Sequence, residues 1–300
     1  MRYRRQLEAV LRGIFLFFAV LSASAIVFIT IFIVIEGVPL FFSSVEGFEP
    51  PTLGEFLFGT DWYPTEAPPS FGILPFIVGS LVVSLGALVL AVPVGISVGI
   101  FIAEISRKRS QALLRGVTEI LAGIPSVVYG FFGVIMIGFF LDRVEDPIVN
   151  YNAFSAIIIL AAMVLPTVIN ITEVSLRSVP RHYKQGSLAM GATHWQTIWR
   201  VLLPASRSGI IAGCILGMGR ALGETMAVLM VAGNAPVMPT DGLFSRVRTL
   251  TMAIANDLGY AGGDHRVALF AIAIVLFVFI LLLNLVTQII SQRSQMRMRQ

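Results

Sequence analysis

An all-α integral membrane protein with about six transmembrane helices is predicted by three features of the 300-residue chain. Hydrophobic residues make up 56% of it and charged residues 13%, roughly half the charged share of a soluble domain. Apolar runs without charge recur at 18 residues or more, enough for a helix to cross a hydrocarbon core of about 30 Å. Lysine and arginine gather in alternate loops, as they do on the cytoplasmic side of multi-pass proteins. The mean hydropathy of +0.87 agrees with this class.

The first run, Gly13 to Ile35, follows Arg2, Arg4, Arg5 and Arg12. Ala23-Ser24-Ala25 resembles a signal cleavage site, but the apolar run continues ten residues beyond Ala25. An uncleaved anchor helix is therefore expected. The second, Phe71 to Ala103, holds 33 residues without a charge. It is too long for one perpendicular span, so its start at Phe71–Pro75 is expected along the interface, with a kink at Pro93 and Gly95. Further spans are expected over about Ile120–Leu141, Ala153–Ile171, Gly209–Val231 and Val267–Gln288. The chain thus divides into an anchor helix with an outer loop (1–70), a transmembrane core (71–288) carrying a cytoplasmic loop (177–208), and a basic tail (289–300).

Six spans place both termini on one side. The N-terminus, the loops after spans two and four, and the C-terminus hold sixteen Lys and Arg. The opposite loops hold Arg143, Arg246, Arg248 and Arg266, and the first of them carries Glu46, Glu49, Glu55, Asp61 and Glu66 without a base. Both termini are therefore expected in the cytoplasm. The basic excess reports topology, with no nucleic-acid partner implied. Asp61, Trp62 and Tyr63 are expected in the interfacial belt, and Arg246 and Arg248 as solvated outer-loop charges.

Several chemistries find no support. Cys214 has no partner for a disulfide, and His182, His194 and His265 show no metal-ligand spacing, so no metal site is expected. A phosphate-cradling G-x-x-x-x-G-K-[ST] loop is absent, since neither Lys108 nor Lys184 follows a glycine. No nucleophile–base pair or paired carboxylates lie within the spans, so the chain is not expected to be an enzyme.

The fifth run contains two charges, Arg220 and Glu224, each costing about 2.5–3.5 kcal/mol at mid-membrane on insertion scales. On one continuous helix, Gly209, Gly213, Gly217, Arg220 and Glu224 would share about 80° of arc. That face is a small-xxx-small ladder, directed toward protein or water rather than lipid. Two readings follow: an i,i+4 pair that only holds the bundle, or a polar pathway that meets a charged solute. Ser126 and Tyr129 beside Pro125, and Thr167 and Asn170 after Pro166, are candidates to donate hydrogen bonds along such a pathway. Alternatively they satisfy backbone groups freed by the prolines.

The segment RHYKQGSLAMGATHWQTIWRVLLPASRSG, between spans four and five, alternates apolar residues (Leu188, Ala192, Trp195, Trp199, Leu202) with charged ones. One or two short amphipathic helices, broken near Gly191, are expected there, either in the lipid interface or docked to a soluble partner.

Gly191 followed by Val201-Leu202-Leu203-Pro204 resembles the EAA loop of bacterial ABC importer permeases. Gln185, Gly186 and Ser187 stand where Glu-Ala-Ala is usual. The resemblance implies a coupling helix on a separate ATP-binding subunit, with Gln185, Gly186, Ser187, Gly191, Ala192, Trp195, Leu203 and Pro204 at that contact. Three stretches further resemble the phosphate-specific branch, PstC type: Gly219-Arg220-Ala221-Leu222-Gly223-Glu224-Thr225-Met226-Ala227, Ile124-Pro125-Ser126-Val127-Val128-Tyr129-Gly130, and Phe58-Gly59-Thr60-Asp61-Trp62-Tyr63-Pro64 with Phe71-Gly72-Ile73-Leu74-Pro75-Phe76. This implies a MetI-like permease core in a bacterial plasma membrane. Its implied partners are a homologous PstA-like permease, two PstB-like ATP-binding subunits and an extracytoplasmic PstS-like phosphate-binding protein. ATP would be hydrolysed by the partner, so no cofactor is expected on this chain. The resemblance assigns Arg220 to orthophosphate, with Glu224 orienting it. A permease for sulfate or molybdate, an ATP-independent transporter and a membrane enzyme are the competing functions.

Overall fold

The computed structural model describes residues 2–43, 49–141 and 151–298; Glu46, Arg143 and Arg299 lie outside them. The anchor run forms α1 (Arg2–Gly37), continued by a 3-10 turn, Val38–Phe41. The outer loop holds a short helix, α2 (Leu53–Phe58), begun by a reciprocal Thr52–Glu55 capping box, and a two-stranded antiparallel ribbon, β1 (Trp62–Tyr63) with β2 (Ser70–Phe71). Next comes α3 (Leu74–Ile100), which carries Pro93 within it and widens into a π turn, Phe101–Ile105. It begins at Leu74 with Pro75 in the first turn, so of the segment expected along the interface only Phe71–Ile73 precede it.

The third expected span is not one helix. α4 (Lys108–Gly123) and α5 (Ser126–Leu141) meet at Ile124–Pro125, and the two axes are bent by 94°. Pro125 cannot donate a backbone bond, and it drives Ile124 into the extended region (φ −67°, ψ 128°). The fourth span is α6 (Ala153–Arg177), N-capped by the Asn152 side chain. The cytoplasmic loop forms α7 (Arg181–Ala189) and α8 (His194–Thr197), and a second π turn, Ile198–Leu202, leads into α9 (Leu203–Gly223). The fifth expected span is also broken: α9 stops at Gly223, and α10 (Met226–Val231) starts after Glu224–Thr225. The outer connection holds α11 (Leu250–Asp257), and α12 (Gly263–Met298) closes the chain. Among the described residues five helical stretches are long and apolar enough to cross a membrane, and six if the bent α4–α5 pair is counted as one broken span.

α6 is the centre of the packing, with 56% of its most apolar window buried. Small residues on two neighbours allow this. On α3, Gly86, Gly95 and Gly99 face Ile157, Val168 and Thr172 in rising order, so α3 and α6 run parallel. On α9, Gly209, Gly213 and Gly217 face Ser175, Ile171 and Val164 in falling order, so α9 runs antiparallel. The ladder therefore meets a helix of its own chain, which is the close approach that glycine permits. These directions match the alternation of sides read from the loop charges. α1 lies outside the bundle against α12, with Phe32 edge-on to Phe270 and none of its apolar window buried. That is the environment of a lipid-facing anchor.

A second core lies under the outer loops and gathers Leu40, Phe56, Trp62, Phe71, Phe76 and Leu269. Trp62 is 5% exposed there, edge-on to Phe76 and His265. The interfacial-belt expectation thus holds no further for Trp62: the ribbon turns it inward, while Asp61 and Tyr63 stay exposed.

Candidate functional site

Arg220 occupies the last turn of α9, where its charge offsets the negative end of the helix dipole. Its Nη1 donates to Thr167 Oγ1 on α6 at 3.0 Å, a charge-assisted bond that solvent weakens at this exposed position. Arg220 as a whole is exposed on the chain. Thr167 follows Pro166, and Asn170 stands three residues on, half-buried. Tyr129 is within electrostatic reach of Arg220, and its hydroxyl donates to the Leu121 carbonyl at 2.9 Å. That bond joins α5 to α4 across the bend and satisfies a carbonyl near the end of α4. Ser126 opens α5 and is half-buried.

Glu224 departs from the sequence expectation. It lies beyond α9, in extended geometry (φ −72°, ψ 128°), so the helical arc does not apply to it. Among the described residues no ion pair joins it to Arg220. Its carboxylate Oε1 accepts from Ala227 N at 3.1 Å and so caps the start of α10, while its carbonyl accepts from Thr251 Oγ1 of α11 at 3.1 Å. The two charges therefore flank a helix break, a base at the end of one segment and an acid at the start of the next, each opposing the local dipole. Arg220, Thr167 and Tyr129 are brought together, and Glu224 serves the backbone beside them.

The break is a close junction. α10 packs on α5, and a Cβ on Gly130 would lie 2.8 Å from Met230 Sδ. The segments that follow the two breaks thus meet each other, and non-helical backbone within a span is tolerated only against protein or a water-filled cavity. Two cavities of about 330 and 400 Å³ lie in the outer loops, and neither is lined by Arg220. Arg220 is exposed on the single chain, as are the apolar side chains Val127, Val128, Phe131 and Phe132 of α5.

The cytoplasmic segment between α6 and α9 has the expected form of two short helices broken near Gly191. Thr193 and Gln196 make a reciprocal capping box at α8, and Gly191 sits at φ +85° between the two helices. Ser187 and Thr197 hydroxyls, 3.0 Å apart, fasten α7 to the last residue of α8. Trp195 and Trp199 pack edge to face yet remain over half exposed, and Met190 is 90% exposed. Gln185, Gly186 and Pro204 are exposed, and Ala192 and Leu203 half-buried. Gly186 lies within α7 with nothing near its missing Cβ, so Gly186→Ala is expected to be tolerated or to stabilise α7 by about 1 kcal/mol. Gly191→Ala, forced into the left-handed region, is expected to cost about 1–2 kcal/mol locally. Limited proteolysis of the loop in the two variants checks this: faster cleavage is expected for Gly191→Ala alone.

Three charge clusters were missed by sequence reasoning. Glu173, 4% exposed, holds Arg115 of α4 and Arg177 of its own helix; only the i,i+4 spacing to Arg177 is visible in the sequence. Glu104 of the first π turn pairs with Lys184 of α7. On the outer side, Arg248 is 8% exposed and not a solvated charge. It grips Asp257 through both terminal nitrogens, at 3.0 and 3.4 Å, donates to Asn234 at 2.7 Å and lies over the Phe76 ring. Tyr260 and Asn256 also donate to Asp257, and His265 Nε2 stands 3.5 Å from it. Burial alone would raise the Asp257 carboxyl, but the Tyr260 and Asn256 bonds and the Arg248 charge hold it below the usual aspartate value. Arg246 is exposed, as expected.

The comparisons with known proteins bear on this arrangement. The family profile of the binding-protein-dependent transport system inner membrane component matches residues 95–298. A probable ABC transporter permease protein of Bacillus subtilis, YqgH, is 37% identical over 98% of this chain and 94% of its own length. The phosphate transport system permease protein PstC of Pasteurella multocida is 32% identical over 85% of each chain, and PstC 1 of Mycobacterium tuberculosis 34% identical over 81% of this chain and 79% of its own. Among solved structures, an inward-facing MetNI methionine ABC transporter aligns with a TM-score of 0.54 at 18% identity, covering 74% of this chain and 94% of that one. That likeness concerns the fold alone.

Proposed function

We propose that this chain, which belongs to the binding-protein-dependent transport system inner membrane components, is the permease subunit through which an ATP-driven importer moves inorganic phosphate. Family membership makes it a multi-pass inner-membrane permease of MetI type, working with an ATP-binding subunit and a substrate-binding protein. Phosphate is the finer reading. It is supported by the PstC names of relatives at 32–34% identity, while the 37% relative carries only the name of a probable ABC permease. On the same reading the partners are a PstA-like permease, two PstB-like ATPases and a PstS-like binding protein, and ATP is bound and hydrolysed by the ATPases.

The observation that carries the reading is the exposed guanidinium of Arg220 at a helix break, with one terminal nitrogen bonded to Thr167. A guanidinium offers forked donors to two oxygens at once, the geometry a phosphate oxyanion accepts. Thr167 steadies that fork, and Tyr129, Ser126 and Asn170 line the approach. Glu224 acts through the backbone: it fixes where α9 ends and α10 begins, and its charge limits how strongly the site holds an anion, so that phosphate leaves again. The exposed side of Arg220 and α5 faces the second permease, and the pathway is completed between the two. Gln185, Gly186, Ser187, Gly191, Ala192, Trp195, Leu203 and Pro204 belong to the surface that the ATPase engages, within the core of residues 71–288.

Competition tests the substrate. Unlabelled phosphate and arsenate are expected to suppress labelled phosphate uptake, with sulfate and molybdate inert at equal concentration. Stronger competition by sulfate or molybdate would move the assignment to another oxyanion.

A further inference from the structure

The π turn that ends α3 touches four other elements through two residues. The Ile102 carbonyl accepts from Gln111 Nε2 of α4 at 2.8 Å and from Arg177 Nη2 of α6 at 3.5 Å. The Glu104 carboxylate accepts from Lys184 Nζ on α7, and His194 Nε2 of α8 lies 3.9 Å away. The Glu104 side chain is 9% exposed. A carboxylate so buried is stable only while its cation stays in place, because separating the two leaves a charge without solvent or partner.

The sequence around Lys184 makes this pair distinctive. Between Glu173 and Glu224 the chain has no acidic residue, so the docking loop carries only positive charge. The carboxylate that anchors α7 therefore comes from α3, eighty residues earlier. Elsewhere the loop meets the spans through apolar contacts, Ile198 and Leu202 against Ile100 and Leu176. Close-packed apolar contacts resist compression and transmit a push, and drawing them apart is opposed only by re-exposure of their surface, without a directional bond. An ion pair to a buried carboxylate resists separation. The two kinds of contact together let the loop both push and pull α3, and the Ile102 carbonyl carries the same displacement into α4 and α6.

We propose that Glu104, through Lys184, is the tether that converts movement of the docking loop into movement of the transmembrane helices. Glu104 is a positioning residue: it acts on the spans and does not contact the solute. The inference rests on the reading of residues 177–208 as the ATPase-docking loop.

The test uses the complete complex, reconstituted with its ATPase, second permease and binding protein. Glu104→Gln keeps the shape and removes the charge; Lys184→Met keeps most of the stem on a half-exposed loop position. In both, the complex is expected to assemble and to hydrolyse ATP at near the wild-type rate, with phosphate taken up per ATP hydrolysed falling by at least about tenfold. An unchanged uptake-to-hydrolysis ratio in either variant overturns the tether. So does failure of Lys184→Met to assemble, which would make the pair a docking contact. A readout without substrate separates this from the phosphate assignment. Cysteine introduced at Gly219, where the added Cβ meets no atom within 4 Å, in a Cys214→Ser chain reports the spans near Arg220 by its labelling rate. ATP-dependent change in that rate is expected with Glu104 intact and lost in Glu104→Gln; a change that persists in Glu104→Gln overturns the proposal. Absence of phosphate uptake by the wild-type complex would count against the substrate alone.

Discussion

Arg220→Ala, in a complex that assembles normally, is expected to lower phosphate uptake at limiting phosphate by about 10- to 100-fold, the effect of losing one or two charge-assisted hydrogen bonds of about 1.5–3 kcal/mol. The variant removes both the fork and the bond to Thr167. Arg220→Lys separates charge from geometry, because an ammonium retains the charge without the planar pair of donors. It is expected to recover part of the uptake and to lose discrimination among oxyanions. Binding-protein-dependent ATP hydrolysis is measured alongside, so that loss of solute contact is distinguished from loss of assembly. Full uptake by Arg220→Ala would leave the residue with only its place in the last turn of α9, opposing the dipole.

Asp257→Ala is expected to be the most destabilising substitution among the polar sites, at about 3–5 kcal/mol, because it strands the buried Arg248 without a counter-charge. A detergent-solubilised thermal melt of the variant measures it, and a loss below about 1 kcal/mol would show that Asn234 and the Phe76 ring suffice for Arg248. The pair also sets a pH dependence. The folded state lowers the Asp257 pKa from its ordinary value of 3.8. Its stabilisation is therefore fully present above the unfolded value and is lost as pH falls through the lower folded value. Acid sensitivity of the outer region is expected below about pH 4, and Asp257→Asn is expected to flatten it.

Much of this architecture is legible in the residues, and the exceptions have physical reasons. The Gly209–Gly213–Gly217 ladder predicts a close helix contact, and α6 provides it. Gly191 predicts a turn between two amphipathic pieces, and its positive φ explains why glycine stands there. The membrane spans follow from apolar length alone. What apolar length cannot show is a break within a span, because hydropathy averages over the whole run. Local signals for both breaks are nevertheless present. Pro125 restricts Ile124, and Gly223 followed by Glu224, three residues before Ala227, has the form of a helix stop joined to a helix start. Reading Arg220 and Glu224 as an i,i+4 pair assumed helix continuity, and that assumption concealed the capping role of Glu224. Trp62, Arg248 and Glu104 were not legible for another reason. Their partners lie from 9 residues away, as Asp257 from Arg248, to most of the chain away, as His265 from Trp62, and only the packing of the outer ribbon, α11 and the π turn brings them together.

ATP-dependent uptake of labelled phosphate into vesicles, by this chain reconstituted with its second permease, ATPase and binding protein, tests the central claim most directly. Uptake is expected only with hydrolysable ATP and the binding protein, and is expected to be strongly reduced when Arg220→Ala replaces the wild type. Phosphate entry without ATP, or entry undiminished by the loss of Arg220, would contradict the account.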